Sequence, residues 1–365
     1  MIGMNEEEIV RIFLKNGFQI SKNALGLASK DPEIIISCLK KMKNRPFIIT
    51  EQHLKEVLKG ISSKPIEVKI IKEYIFNRKP ICVNDCAEEL LSRYEKIKSL
   101  LLKQMASKQL VSINKIGPQT TKFSIIGLVR EKNNNSMLIE DPTGEVQIFF
   151  DDSLKGKFEE IVLDDVVGVT AKKTKDKYYA ETVTFPDISS NREINKTESD
   201  MVLAVISNPS NLDEIKYNNL TTVLSSIENL SYVVFFDDTI NEKIIHDFSR
   251  FNPIIPKSNP SLVQINNIKI LVLPKKYFET LTSDFNVADP ITLTLKKRYI
   301  PSSFFHKIHI DNENFVLTEI PDIVISNLDE TINKNYKGIT ILSNSNPNKT
   351  FFVNLKTREV IEKTI

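Results

Sequence analysis

Between Phe123 and Phe150 the apolar residues come in short alternating or unbroken runs set off by polar clusters, a pattern that predicts three strands and two turns. Phe123-Ser-Ile-Ile-Gly-Leu-Val-Arg130 is β-rich and carries Gly127 where a barrel strand has to bend. Lys132 to Ser136 is a polar turn. Met137-Leu-Ile-Glu140 then runs into Asp141-Pro-Thr-Gly144, a type I or II turn with Pro in its second position, and Glu145 to Phe150 resumes the strand. Ile161 to Leu163, Asp165 to Thr170 and Tyr178 to Thr184 follow as further strands. About five short strands in roughly 75 residues is the strand economy of a small closed OB-type barrel, placed at 109–190.

Upstream the period changes to that of helices. Asn5-Glu-Glu-Glu8 caps a helix with Ile9, Ile12 and Phe13 on one face, and Asn16-Gly17 stops it. Ser21 to Ala28, a helix opened by Asp31-Pro32-Glu33 with Ile35, Leu39 and Met42, and one opened by Thr50-Glu51 complete a helical module at 1–60. Residues 61–108 read as a linker with Pro65, Pro80 and one strand (Ile66 to Ile71), then an amphipathic helix capped by Asn84-Asp85. That helix places Leu90, Tyr94, Ile97, Leu101 and Met105 on one stripe and Arg93, Lys96, Lys98 and Lys103 on a solvated face.

Residues 191–365 alternate apolar runs with helical stretches. Strands are expected at 200–207, 232–236, 268–273, 322–325, 338–342 and 350–355, and helices at 220–230 and 241–251. Such runs predict an α/β sandwich whose first half is parallel. Ligands of such sheets sit beyond the carboxyl ends of the strands, so chemistry is expected there. The whole reads as a multidomain α+β chain.

Composition narrows the function. A net charge of +2 in 365 residues argues against a protein that coats DNA through bulk charge. The three cysteines Cys38, Cys82 and Cys86 and the lack of an apolar leader fit a reducing cytoplasm, and no apolar run is long enough to span a bilayer. Cys82 and Cys86 have no Cys or His near them in sequence, and His53 reads as a surface helix residue, so no metal is expected. The local basic feature is Lys172-Lys-Thr-Lys-Asp-Lys-Tyr-Tyr179, read as a loop in which Lys172, Lys173, Lys175, Lys177 and Tyr178 contact nucleic acid, or else as a solubilising hairpin tip.

Ile126-Gly-Leu-Val with Glu140-Asp-Pro-Thr-Gly144, Leu295-Lys-Lys-Arg-Tyr-Ile-Pro301, Pro321-Asp-Ile323 and Tyr336-Lys-Gly338 before Ile341-Leu-Ser-Asn344 occur in an order that resembles the small, B-type subunits of replicative DNA polymerases, nearest the archaeal D-family type. The resemblance covers most of residues 85–365. It implies a helical module, an OB barrel and a calcineurin-like phosphoesterase α/β sandwich. Active phosphoesterases of that fold carry Asp-x-His, Gly-Asp, Gly-Asn-His-Asp, a lone His and Gly-His-x-His motifs that bind two metals. At the corresponding positions this chain has Asn208, Ser210, Asp237, Asn259, Pro274, Leu328 and Glu330, of which Asp237 keeps a ligand type. One carboxylate among neutral neighbours cannot hold two divalent ions. His306 and His309 stand close in sequence but match no ligand position of the family.

The resulting expectation is a non-catalytic scaffold subunit, without cofactor, that binds and stabilises the large catalytic subunit of a DNA polymerase, meets DNA through that complex and touches no membrane. Its alternatives are an active 3′–5′ exonuclease or phosphodiesterase with relocated metal ligands, and a single-stranded nucleic-acid-binding OB protein.

Overall fold

A computed structural model describes residues 6–28, 32–41, 46–55, 68–74, 83–106, 108–236, 242–254, 260–278, 288–300 and 315–365. The chain divides into two compact units, Met1–Glu67 and Val68–Ile365.

In the first unit, helices α1 (Glu6–Lys15), α2 (Leu25–Ala28) and α3 (Pro32–Lys41) surround strands β1 (Gln19–Ile20) and β2 (Ile48–Ile49), which pair in parallel. Ile9, Phe13, Phe18, Ile35, Leu39, Ile49 and Leu54 form its core. The expected stop of α1 is realised: Gly17 has φ +84°, and the Asn16 side-chain amide donates to the Ile12 carbonyl at 2.9 Å. The strand pair was not expected, because two residues are too few to show a period.

The second unit opens with β3 (Lys69–Glu73) and the long helix α4 (Val83–Gln104). Strand β3 overlaps the strand expected at Ile66 to Ile71 but is part of the fold rather than of a linker: it pairs antiparallel with a strand almost 200 residues later and forms the edge of a large sheet. The barrel follows, with β4 (Lys122–Lys132), β5 (Ser136–Asp141), β6 (Gly144–Phe149), helix α5 (Lys155–Glu159), β7 (Val166–Thr174) and β8 (Lys177–Thr184). It closes in the order β4-β5-β6-β8-β7 with β6 and β8 parallel and a helix between β6 and β7, the connectivity of an OB-type barrel. Ile125, Val129, Met137, Ile139, Ile148, Val167 and Val169 fill it. At Gly127 an added Cβ would lie 2.3 Å from Ile139 Cγ2 and 2.7 Å from the Glu140 carbonyl oxygen, so only glycine lets β4 cross β5 this closely. Ile161 to Leu163 is no strand; Ile161 plugs the barrel core from an extended turn after α5. Residues 172–179 are no loop either, since only Lys175-Asp176 turn between β7 and β8.

The remainder carries β9 (Val202–Ser207), α6 (Glu214–Ser226), β10 (Leu230–Phe236), α7 (Glu242–Asp247), β11 (Pro253–Ile254), β12 (Ser261–Ile265), β13 (Ile268–Leu273), α8 (Pro290–Lys297), β14 (Ile323–Ser326), β15 (Ile332–Tyr336), β16 (Ile339–Ser343), β17 (Lys349–Asn354) and β18 (Val360–Thr364). They form two sheets, β11-β10-β9-β17-β18 and β15-β16-β14-β13-β12-β3. The segments β9-β10-β11 and β13-β14-β16 are parallel. Helices α6 and α7 cover one face of the first sheet, and α8 with Tyr277, Phe278 and Phe315 covers one face of the second. The alternate side chains, Leu203, Val205, Ile270, Val272, Ile323 and Ile325, are also buried, so both faces of both sheets are covered. Helix α6 begins at Glu214 rather than at Leu220, because the Asp213 carboxylate accepts the Lys216 amide at 2.9 Å and caps it there.

Helix α4 joins the parts of this unit. Tyr94, Ile97, Leu101 and Met105 pack on the outer barrel residues Ile126, Leu128 and Val166 and on Val316. Arg93, expected on the solvated face, is 2% exposed, with its guanidinium 4.5 Å from the centre of the Tyr299 ring. Glu89, one turn earlier, is buried beside it. Farther along, the carboxylate of Asp322 takes Arg192, the Asn195 side-chain amide and the Lys269 backbone N–H, and Arg358 donates to the Asp322 carbonyl and to Thr340. The segment leaving the barrel is thereby fastened to the second sheet, and the tail after β17 is fastened with it.

Candidate functional site

The carboxyl ends of the parallel strands in both sheets meet in a network of neutral side chains and backbone. Ser207 ends β9, and its hydroxyl donates to the Asn344 carbonyl just past β16. Asn208 follows in the left-handed region, φ 48° and ψ 50°, and its side-chain amide donates to the Ser345 carbonyl at 3.1 Å. Asn is among the few residues that tolerate this conformation, which turns the chain sharply off the strand. In the second sheet the Ser326 hydroxyl donates to the Leu273 carbonyl at 2.7 Å, and Asn344 N–H to the Ser326 carbonyl at 3.2 Å. Leu328 N–H donates to the Ser343 hydroxyl at 2.9 Å, and Lys275 N–H to Asn327 Oδ1 at 2.7 Å.

The sequence-derived positions Asn208, Pro274, Leu328 and Glu330 thus lie at or just past these strand ends, and all but Glu330 border the network. Ser210 sits in the turn Pro209–Asn211 and lines a separate depression of ≈ 580 Å³ with Tyr217, Lys243 and Asp247. Asp237, Asn259, His306 and His309 lie outside the described residues. Sequence reasoning missed Ser207, Ser326, Ser343 and Asn344, the residues that build the network. Their signal was a hydroxyl or amide closing each apolar run.

What this arrangement can do follows from its atoms. A hydrolytic pair of divalent ions needs several carboxylate or imidazole donors to offset its charge, and the described residues contain no group of three or more His, Cys, Asp or Glu placed to hold a metal. The strand-end hydroxyls and amides are instead taken up by backbone carbonyls and N–H groups. The two-metal arrangement of a phosphoesterase therefore does not fit the described strand ends.

The barrel hairpin is the other candidate. Lys172, Lys175 and Lys177 are exposed, whereas Lys173 is partly covered and donates to the Pro118 carbonyl at 2.6 Å. Lys177 stands 4.5 Å from the centre of the Phe149 ring, which in turn meets Tyr179 at 5.8 Å. Tyr178 turns inward: its ring packs edge-on against Phe123 at 4.9 Å, and its hydroxyl donates to the Gly117 carbonyl at 3.3 Å. The half-exposed aromatic pair is therefore Phe149 and Tyr179, and Phe149 was not among the expected contacts. The conspicuous turn at 141–144 is built by Asp141, whose carboxylate accepts Thr143 N–H, the Thr143 hydroxyl, Gly144 N–H and Ile113 N–H. Burial raises the pKa of this carboxyl, but the four hydrogen bonds outweigh it and hold the group below the ordinary carboxylate value.

No family model matches the chain. Among curated proteins it is similar to the DNA polymerase II small subunit of Methanothermobacter thermautotrophicus, 32% identical over 133 residues that make up 34% of this chain and 27% of that protein. It is also similar to the DNA polymerase II small subunit of Archaeoglobus fulgidus, 22% identical over 210 residues, 50% of this chain and 43% of that one. The chain thus spans well under half the length of the curated relatives it matches. Among solved structures, U. maydis replication protein A bound to single-stranded DNA matches 34% of this chain and 94% of its own, at 17% identity and a TM-score of 0.17. The S. pombe telomere capping protein Ten1 matches 21% and 78%, at 17% identity and a TM-score of 0.17. Scores this low carry no argument about fold or function.

Proposed function

We propose that this chain is a non-catalytic accessory subunit of a replicative DNA polymerase, a platform that binds and stabilises the large catalytic subunit. The two sheets with their covering helices are read as a phosphoesterase-like sandwich that has lost its chemistry. The observation that carries this reading is the network at the strand ends, where the side chains of Ser207, Asn208, Ser326, Ser343 and Asn344 are all spent on backbone groups. The similarity to two archaeal small subunits supports the same reading.

The test is a joint one. Co-expression with the large polymerase subunit of the same organism is expected to yield a stable complex. The isolated chain is expected to show no Mn²⁺- or Mg²⁺-dependent hydrolysis of single-stranded DNA or of a phosphodiester model substrate. Robust metal-dependent hydrolysis abolished by Asp237→Ala or His306→Ala, or the absence of any complex, overturns the proposal.

A second, narrower reading is that the barrel hairpin touches single-stranded DNA inside that complex. It is favoured by Lys177 beside the partly exposed Phe149 and Tyr179, with exposed Lys175 in the turn two residues before it, the combination of cation and aromatic that such contacts use.

A further inference from the structure

A groove runs between helix α4 and the turn joining β5 to β6. Ala87, Leu90, Leu91, Tyr94, Leu128 and Pro142 line it, and its volume is ≈ 360 Å³. That is room for two or three aliphatic side chains. Leu91 on its lip is 54% exposed, beside the stripe of Tyr94, Ile97, Leu101 and Met105 that packs on the barrel. An exposed leucine over an open apolar groove is a surface that burial by a partner would stabilise.

The rim says which kind of partner. On the helix side, Glu88 and Glu95 stand three residues before and four after Leu91, the spacing that sets all three along one exposed stripe. On the barrel side, Glu140 and Asp141 line the groove, and the carboxylates of Glu140 and Glu145 share the guanidinium of Arg130 at 3.4 and 3.2 Å. The Tyr94 phenol registers this field: burial raises its pKa, and the charges of Asp141 and Glu95 raise it further. Two cations stand on the rim as well, Arg130 and Lys98, the latter 3.3 Å from Glu95 and 5.1 Å from the centre of the Tyr94 ring, but Glu88, Glu95, Glu140, Asp141 and Glu145 outnumber them. An apolar floor with this net acidic rim disfavours phosphate and favours lysine and arginine.

We infer that this groove receives an apolar anchor flanked by basic residues on a segment of the polymerase large subunit, an inference that rests on the accessory-subunit reading above. The anchor fills the space beside Leu91 and Tyr94, while the flanking cations reach Glu88 and Glu95 on one edge and Glu140 on the other. Leu91 contributes through burial and so acts mainly on dissociation; the carboxylates act mainly on association and on its salt dependence.

The experiment titrates the large subunit against wild-type chain, L91E and the pair Glu88→Lys, Glu95→Lys, with thermal midpoints recorded alongside. All three positions are exposed, so the midpoints are expected to stay together. L91E is expected to lose about tenfold or more in affinity. The charge-reversed pair is expected to associate more slowly at low salt and to lose the acceleration that low salt gives the wild type. Wild-type binding with both variants unaffected overturns this inference and leaves the accessory-subunit reading standing. No binding by the wild type overturns both. A single-stranded DNA oligonucleotide that binds wild type but not L91E would assign the groove to nucleic acid and overturn the inference in favour of that class.

Discussion

The ammonium of Lys297 lies 2.6 Å from the carboxylate of Asp165, and neither side chain is more than 11% exposed. Lys297 closes α8, which covers the second sheet, whereas Asp165 precedes β7 of the barrel, so the pair joins two parts of the chain more than 130 residues apart. Burial pushes the Asp165 carboxyl up and the Lys297 ammonium down, and each is opposed by the charge of the other. Asp165 also accepts the Val162 amide at 2.8 Å, which fixes the turn before β7.

A buried pair of this kind is costly to break from one side. Asp165→Leu or Lys297→Met leaves a charge in the interior without its partner, and each is expected to cost about 3–5 kcal/mol. Replacing both by apolar residues of similar volume, Asp165→Leu with Lys297→Met, is expected to cost clearly less than either single change. Denaturant midpoints of the four proteins form a double-mutant cycle, and additive losses would show that the two side chains do not act as a pair.

Glu89 gives a pH dependence of defined sign. Burial raises its pKa above the ordinary 4.5; the nearby Arg93 pulls it back, and Asp164 pushes it up again. The folded chain therefore holds the proton more tightly than the unfolded chain, and stability falls as pH climbs from the ordinary glutamate range through the raised value. Asp141, held below its ordinary 3.8, behaves the other way, and its contribution is lost as pH drops below that range. Glu89→Gln is expected to flatten the decline on the alkaline side while leaving the acid limb in place. Thermal midpoints between pH 4 and 8 measure it, and an unchanged slope in the variant would refute the assignment.

How much of this was legible in the sequence differs element by element. The long strands β4 and β13 and helix α4 show their periods in the residues themselves, and the OB-type barrel followed from strand spacing and turn chemistry. Strand β3 showed only with shifted bounds, and β12, β15 and β18 did not show, because a stretch such as Val360-Ile-Glu-Lys-Thr364 becomes a strand only when a distant partner offers its edge. Arg93 was misread for the same reason: on its own helix it belongs with the lysines, and only Tyr299, some 200 residues later, makes it a buried residue. The strand ends were singled out in the sequence as the place where chemistry is expected, and their content was read as missing ligands. The structure shows what stands there instead, hydroxyls and amides committed to backbone groups.

Gly127 tests the barrel itself. Gly127→Ala puts a methyl against Ile139 and the Glu140 carbonyl, and the latter is backbone that cannot swing aside. A loss of about 1–3 kcal/mol is expected, with a larger one for Gly127→Val. Urea unfolding decides it, and a neutral alanine would mean that β4 and β5 separate more easily than their pairing indicates.

The hairpin lysines make a separable prediction about salt. If Lys175 and Lys177 meet phosphates beside Phe149 and Tyr179, then Lys175→Ala with Lys177→Ala weakens single-stranded DNA binding by the complex and lowers the slope of log affinity against log salt by about 1.4, roughly 0.7 for each phosphate no longer neutralised. Tyr179→Ala is expected to reduce affinity with little change in slope, because stacking releases no counterion. A slope unchanged by the lysine pair would make the hairpin a solvated tip.

The last prediction concerns where the second unit can be cut. Strand β3 pairs with β12 through Lys69 to Glu73, and Tyr74 N–H donates to the Pro260 carbonyl at 2.9 Å, its ring stacking on Phe315 at 5.7 Å. A fragment from Val68 to Ile365 keeps that edge and is expected to fold with the midpoint of its unit in the full chain and to bind the large subunit. A fragment starting at Asn84 loses β3 and Tyr74, which strips the edge of β12 and opens a hole beside Phe315. It is expected to be less stable by several kcal/mol, since removing a fully buried aromatic side chain alone costs about 3–5 kcal/mol. It is also expected to aggregate through the bared strand. Equal stability of the two fragments would show that β3 is dispensable, and failure of the longer one to fold would show that the first unit is required.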